Sequence, residues 1–120
     1  MVNVKESSGL VLAYLGDAIW ELKVREYAIE KGYNIRNLNK LVKTMVNAKA
    51  QSRLLKEIFE DLSENAKMIV KRAKNSNIKT FPKSCTITEY RESTAFEALV
   101  AFLYLEGNTE QIQDFIKKCK

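Results

Sequence analysis

The sequence predicts an all-α protein, a single domain of five to seven helices over residues 1–120. One proline and four glycines in the whole chain leave few sites for tight turns and favour long helices. Apolar residues recur every three or four positions through most of the chain, which is the period of a helix. The hydrophobic content of 46% is enough for one core, and the length is that of one domain.

The first half of the chain predicts two helical regions. Ser7-Ser8 can cap a long periodic stretch that ends at Gly32, a residue suited to helix ends. Asn34 can cap a second region over residues 37–61, with a break near Asn47. The apolar positions of this second region fall at helical spacing, so we expect it to pack by one apolar face.

A further helix is expected over residues 64–75, with Ser63 as its cap. The polar segment that follows, residues 75–88, contains the only proline of the chain, Pro82. Within it Thr86-Ile87-Thr88 is β-branched throughout and could be briefly extended. One short extended piece does not make a sheet, so the prediction remains all-α.

The last third of the chain predicts two helices. A long one covers residues 89–106 and ends at Gly107-Asn108, and Thr109 can cap a final amphipathic helix. Aromatic residues at helical spacing are most simply core residues. They are Tyr14, Trp20, Tyr27, Phe96, Phe102 and Tyr104.

The composition excludes several kinds of chemistry. The chain has no histidine, which rules out Ser-His and Cys-His nucleophilic sites and histidine as a general base or zinc ligand. Cys85 and Cys119 lack metal-type spacing and are expected to be free thiols. No apolar run is long enough for a bilayer, and the first residues are too polar for a signal peptide. We therefore expect a cytoplasmic protein with no membrane partner.

Two acidic residues stand alone within apolar stretches. Asp17 is the only charge in residues 9–20, and Glu97 is the only charge in residues 93–105. A helix that is apolar nearly all round is normally central to a fold, so Asp17 is expected to be at least partly buried. A buried carboxylate requires a cation, a hydrogen-bond network or a proton, because an unpaired buried charge is costly.

If these two acids meet, a divalent cation, an arginine or a shared proton has to relieve their repulsion. An oxygen-only site indicates Mg²⁺, with Mn²⁺ as a substitute, rather than zinc. The plainer alternatives are an exposed position or a partner for an arginine. Glu21, one turn after Asp17, is either part of the site or the partner of Arg25 one turn further on. Gly16 favours close helix packing or room for a ligand, and periodicity alone leaves these alternatives open.

Two motifs carry a resemblance to a known family. Residues 12–22 read Leu-Ala-Tyr-Leu-Gly-Asp-Ala-Ile-Trp-Glu-Leu. They resemble the ribonuclease III motif, whose centre is Leu-Gly-Asp-Ala followed by a Glu one turn later. Residues 93–107 read Ser-Thr-Ala-Phe-Glu-Ala-Leu-Val-Ala-Phe-Leu-Tyr-Leu-Glu-Gly and resemble the family's second acidic segment. The match is closest to the short Mini-ribonuclease III branch, which lacks a C-terminal domain for binding double-stranded RNA.

The resemblance implies an all-helical, dimeric endonuclease domain that hydrolyses phosphodiester bonds in double-stranded RNA, with Mg²⁺, in the bacterial cytoplasm. It also implies a part in maturing the 23S ribosomal RNA precursor. Asp17, Glu21 and Glu97 match acidic positions of the family, with Asp17 and Glu97 as the metal ligands. A divalent ion held there could lower the pKa of a water molecule and act as a Lewis acid.

The family's pattern is incomplete in this chain. Full-length members have further acids where this chain has Leu10, Ala13 and Thr94. A sparse metal shell is therefore expected, completed by water, a backbone carbonyl or an RNA phosphate. Two alternatives to a nuclease follow: a catalytically inactive RNA-binding module that kept the fold, and a helical protein-interaction domain.

A basic segment without acids, residues 65–88, is the predicted RNA-binding surface. The net charge of +5 suits a polyanionic partner, and this segment lies directly before the helix of Glu97. Recognition of the A-form shape through phosphates and 2′-hydroxyls is expected, whereas the alternative is a solvated basic face. The predicted contact residues are Lys67, Lys71, Arg72, Lys74, Asn75, Lys79 and Lys83.

Overall fold

The computed structural model describes residues 2–32 and 34–119 and confirms the all-α prediction. That part of the chain contains no strand, and a 3₁₀ turn at Phe59–Asp61 links the third helix to the fourth. No helix in the described ranges is long and apolar enough to cross a membrane. The α-helices in chain order are α1 (Gly9–Glu30), α2 (Ile35–Met45), α3 (Ala48–Ile58), α4 (Glu64–Lys74), α5 (Ile87–Leu105) and α6 (Thr109–Lys118).

Capping side chains mark the starts of the first four α-helices. Ser8, Asn34 and Ser63 each accept a hydrogen bond from a backbone N–H in the first turn, as the sequence predicts. The predicted break near Asn47 is confirmed, because this residue ends the α2–α3 link and caps α3. The Asn47 side chain also donates to the Lys43 carbonyl at 2.8 Å, so it bonds to both helices.

Two local predictions in the second half are wrong. Of the three residues Thr86-Ile87-Thr88, only Thr86 has an extended backbone, as the N-cap of α5; Ile87 and Thr88 form the start of that helix. Its hydroxyl accepts the Glu89 N–H at 3.0 Å, while the Glu89 carboxylate accepts the Thr86 N–H at 2.8 Å. This reciprocal capping box favours a helix despite the β-branched residues. Asn108, rather than Thr109, caps α6.

The core is organised around α5, which packs against α1, α3, α4 and α6. Its near-continuous apolar sequence is explained by these neighbours on several sides. The Trp20 ring of α1 meets Phe96 of α5 edge to face, with centroids 4.9 Å apart. The Trp20 indole N–H donates to the Met45 carbonyl at 3.1 Å and so joins the end of α2 to α1. Trp20 and Phe96 are core residues, as predicted.

One side of α1 is apolar and exposed. Val11, Tyr14 and Leu22, which we call the exposed α1 face, have exposed fractions of 56%, 86% and 56%. Asp17 lies at the edge of this face and is itself exposed. The predictions of a core position for Tyr14 and of partial burial for Asp17 are therefore wrong, as is that of a core position for Tyr104. A helix that is apolar on all sides has no pattern that tells which side its neighbours cover.

Candidate active site

The packing of α1 on α5 brings Asp17 and Glu97 together. Gly16 lies directly against the backbone of Glu97, and a Cβ atom built on Gly16 would be 1.6 Å from the Glu97 carbonyl oxygen. The same Cβ would be 3.2 Å from the Ala101 backbone nitrogen. Any side chain at residue 16 would therefore separate the two helices. The glycine permits the close approach by which the adjacent Asp17 reaches Glu97.

The two carboxyl groups have different surroundings. Asp17 is exposed, whereas Glu97 is half-buried. Burial, the hydrogen bond with Asp17 and the negative charge of Asp17 together raise the pKa of the Glu97 carboxyl to about 9, and burial is the largest of these causes. Without a cation, the pair therefore holds a proton on Glu97 at neutral pH.

The donor chemistry of this pair fits a hard divalent cation, because both side chains offer only oxygen. Within residues 2–32 and 34–119 no cluster of three or more acidic or cysteine side chains is arranged to hold a metal ion. The third predicted site residue, Glu21, accepts a hydrogen bond from the Arg25 guanidinium at 3.0 Å. The site therefore offers two carboxylates, and Glu21 is engaged by the arginine one turn away.

The raised pKa of Glu97 predicts how stability depends on pH in EDTA. The folded protein keeps a proton that the unfolded chain, with a Glu pKa of 4.5, releases. This contribution is complete below about pH 4.5 and is lost as the pH rises toward 9, by up to about 1.4 kcal/mol per pH unit. We expect Glu97→Gln to remove this part of the decline. Urea unfolding between pH 5 and 8.5 measures it.

The control for this measurement is Glu30→Gln, which removes an exposed acid near the end of α1. It should keep the wild-type dependence on pH, because an exposed carboxyl gains little from folding. Equal pH slopes for wild type and Glu97→Gln would contradict the raised pKa of Glu97.

Three side chains of the predicted RNA-binding segment already have partners within the protein. The Lys67 ammonium lies 3.9 Å from carboxylate oxygens of both Glu60 and Glu64. The Arg72 guanidinium donates to the Val4 carbonyl at 2.9 Å. The Lys74 ammonium is 4.0 Å from the buried carboxylate of Glu92. These contacts hold α4 to its neighbours and make each of the three cations less available to bind an external phosphate.

The other four predicted residues are exposed. In the described ranges, none of the three lysines among them has a carboxylate within 4.0 Å. They lie at the end of α4 and in the segment before α5, where charged ends can reach a polyanion. These residues are Lys71, Asn75, Lys79 and Lys83.

Sequence reasoning missed Arg91, which fixes the backbone of this basic segment where α4 ends. Its guanidinium donates from α5 to the carbonyls of Lys74 and Ser76, at 3.2 and 3.0 Å. These carbonyls lie at and just beyond the end of α4, where backbone acceptors lack partners within the helix. No local pattern marks Arg91, because its partners come from another helix. The nearest usable signal is an arginine close to Glu97 on the same helix.

The chain matches known proteins along nearly its whole length. The Ribonuclease III domain family matches residues 10–108. A Mini-ribonuclease 3-like protein of Ilyobacter polytropus is 60% identical over 119 residues, which cover 98% of this chain and 94% of that protein. Mini-ribonuclease 3 of Enterococcus faecalis is 36% identical, with 99% and 92% covered. A crystal structure of a Fusobacterium nucleatum protein is 53% identical, with a TM-score of 0.88 over 98% of this chain and 94% of that one.

Proposed function

Because the chain belongs to the ribonuclease III family, in its short Mini-ribonuclease 3 branch, we propose that it is a Mg²⁺-dependent endoribonuclease that cleaves double-stranded RNA. The observation that carries this proposal is the contact between Asp17 and Glu97, two acids from different helices. Neighbouring carboxylates repel each other, and a divalent cation relieves that repulsion.

Asp17 and Glu97 would hold the ion, with Mn²⁺ able to substitute for Mg²⁺. A bound divalent ion supplies an acidified water molecule and charge stabilisation on the phosphoryl oxygens. The protein's own contribution is to hold the two carboxylates close together, because Gly16 lets α1 pack directly against the backbone of Glu97. Glu97 has to release its proton before both carboxylates can act as ligands, because a ligating carboxylate is ionised.

The substrate is duplex RNA held by its backbone. The exposed cations Lys71, Lys79 and Lys83 suit phosphate contacts, and Arg91 positions the segment that carries them. Phe81 is the only aromatic residue in that segment, so stacking on successive bases is not its mode of binding. By the resemblance to Mini-ribonuclease III, we assign maturation of the 23S ribosomal RNA precursor, and hence ribosome biogenesis in the bacterial cytoplasm.

The proposal includes a homodimer formed through the exposed α1 face. Large apolar side chains clustered at a surface mark interaction sites, and Tyr14 on this face is 86% exposed. A two-fold dimer presents two equivalent sites, which suits cleavage of both strands of a duplex. Asp17 borders the same face, so the two sites would lie beside the interface.

A cleavage assay with and without EDTA tests the proposed function. We expect the purified chain to cut a structured duplex RNA in Mg²⁺, to stop when EDTA is in excess, and to resume when Mg²⁺ is restored. A single-stranded RNA of the same sequence serves as the control and should remain intact. Cleavage that continues unchanged in EDTA would overturn the metal dependence.

A catalytically inactive RNA-binding module is the second candidate. Thr94 is buried and supplies no carboxylate. By the resemblance, full-length members of the family have an acid at this position. The described residues also provide no third acidic ligand beside Asp17 and Glu97. This candidate predicts duplex binding without cleavage in either Mg²⁺ or Mn²⁺, whereas cleavage in either ion excludes it.

A further inference from the structure

A second acid-free stretch of the chain lies outside the segment assigned to RNA. From residue 31 to residue 56 there is no Asp or Glu. This stretch includes all of α2 and most of α3. Its basic residues are Lys31, Arg36, Lys40, Lys43, Lys49, Arg53 and Lys56.

Three of these residues form a row on α2. Arg36, Lys40 and Lys43 are spaced four and three residues apart, which places them on one side of the helix. All three are exposed, while Val42 and Met45 are buried on the other side. With a rise of 1.5 Å per residue, the row extends over about 10 Å. We call these three residues the α2 basic face.

The α2 basic face has no internal neutralising partner. Across residues 2–32 and 34–119, none of its cations lies within 4.0 Å of a carboxylate. Like charges one turn apart repel each other, and Arg36 lies in the first turn, where the helix dipole disfavours a cation. The first turn of α2 contains no acid to offset it. Lys43 lies in the last turn, where the dipole favours a cation. Helix stability therefore explains Lys43 but neither Arg36 nor the repulsion along the row, whereas a polyanionic partner accounts for all three residues.

The α2 basic face is attached to the helix of the candidate active site. Met45, the last residue of α2, accepts the Trp20 indole N–H at 3.1 Å. Trp20 lies on α1, three residues after Asp17. Because α2 is held against α1 in this way, the position of the α2 basic face relative to Asp17 is fixed in the folded protein.

We propose that the α2 basic face is a second contact surface for the phosphate backbone of duplex RNA, separate from residues 65–88. This inference rests on the proposed function, since it takes the same substrate. A row of cations without an exposed aromatic ring between them suits phosphates rather than bases. Binding at this surface is accordingly independent of RNA sequence and sensitive to salt.

The test compares two double variants in EDTA, where the RNA is not cut. Lys40→Gln/Lys43→Gln removes two charges from α2, and Lys117→Gln/Lys118→Gln removes two exposed charges from the end of α6 as the matched control. Fluorescence anisotropy with a labelled RNA duplex gives the Kd over a series of salt concentrations. Circular dichroism melts verify that both variants remain folded.

We expect the α2 variant to bind duplex RNA roughly tenfold more weakly, with a salt slope smaller by about one for each lost contact. The α6 variant should bind like the wild type. If the wild type binds duplex RNA and both variants have the same Kd as the wild type, the proposed contact surface on α2 is overturned while the proposed function stands. Equal weakening by both variants also overturns it, because the effect then reflects net charge alone. If the wild type does not bind duplex RNA, the α2 contact surface is overturned, and the cleavage assay in Mg²⁺ decides the proposed function separately.

Discussion

Asp17→Asn is expected to lower the rate of duplex RNA cleavage by about a thousandfold or more while the protein stays folded. A metal ion contributes several kcal/mol of transition-state stabilisation, and each 1.4 kcal/mol is about tenfold in rate. Asparagine keeps the shape of the side chain but lacks the charge that holds a cation. Asp17 is exposed, so the substitution leaves the core unchanged. Initial rates in saturating Mg²⁺ measure the loss.

Two controls accompany this measurement. Urea unfolding of Asp17→Asn should give a stability close to that of the wild type, because the Asp17 side chain is exposed. Glu21→Gln separates the two readings of Glu21: a loss as large as that of Asp17→Asn places it in the site, and a change of a few-fold leaves it as the partner of Arg25. Wild-type cleavage by Asp17→Asn would show that the catalytic site lies elsewhere.

Gly16→Ala is expected to produce the largest loss of stability among single methyl additions in this chain. The new Cβ would stand 1.6 Å from the Glu97 carbonyl oxygen, a backbone atom that cannot turn away. The two helices would have to separate, which we expect to cost about 3 kcal/mol or more. Cleavage should fall as well, because the separation moves Asp17 from Glu97. Urea unfolding and cleavage rates of the same preparation measure both effects.

Ala18→Gly is the matched control for Gly16→Ala. It exchanges the same two residue types on the same helix, but at an exposed position. We expect it to cost about 1 kcal/mol, the ordinary helix penalty of glycine, and to leave cleavage unchanged. A Gly16→Ala protein as stable as the wild type would contradict the close contact between α1 and α5.

The features that could be predicted from the sequence are those determined by neighbours along the chain. The caps Ser8 and Asn34 were predictable because each bonds within its own first turn. Gly32 has a φ of +80°, a conformation that glycine adopts without strain, so the end of α1 could also be predicted from the sequence. Asp17 and Glu97 could be paired because each is a lone charge in an apolar helix.

The features that could not be predicted depend on contacts between helices. The exposure of Tyr14 and Asp17 follows from which side of α1 meets α5, and α1 is apolar on both sides. The partners of Arg91 are carbonyls near the end of α4, which every helix offers. The internal partners of Lys67 and Arg72 could likewise be identified only from the tertiary structure.

The position of Arg91 and Glu97 on one helix has a geometric consequence for the substrate. Glu97 lies six positions after Arg91, a rise of about 9 Å along a helix that is packed on several sides. In the proposed function, this part of α5 sets the distance between the phosphate to be cut and the phosphates that the basic segment binds. Inserting one residue between them would rotate Glu97 by about 100° relative to Arg91 and lengthen their separation along the helix axis by about 1.5 Å. Under the proposed function, the length of α5 between these two residues therefore determines how far the cleaved bond lies from the bound phosphates along an RNA duplex.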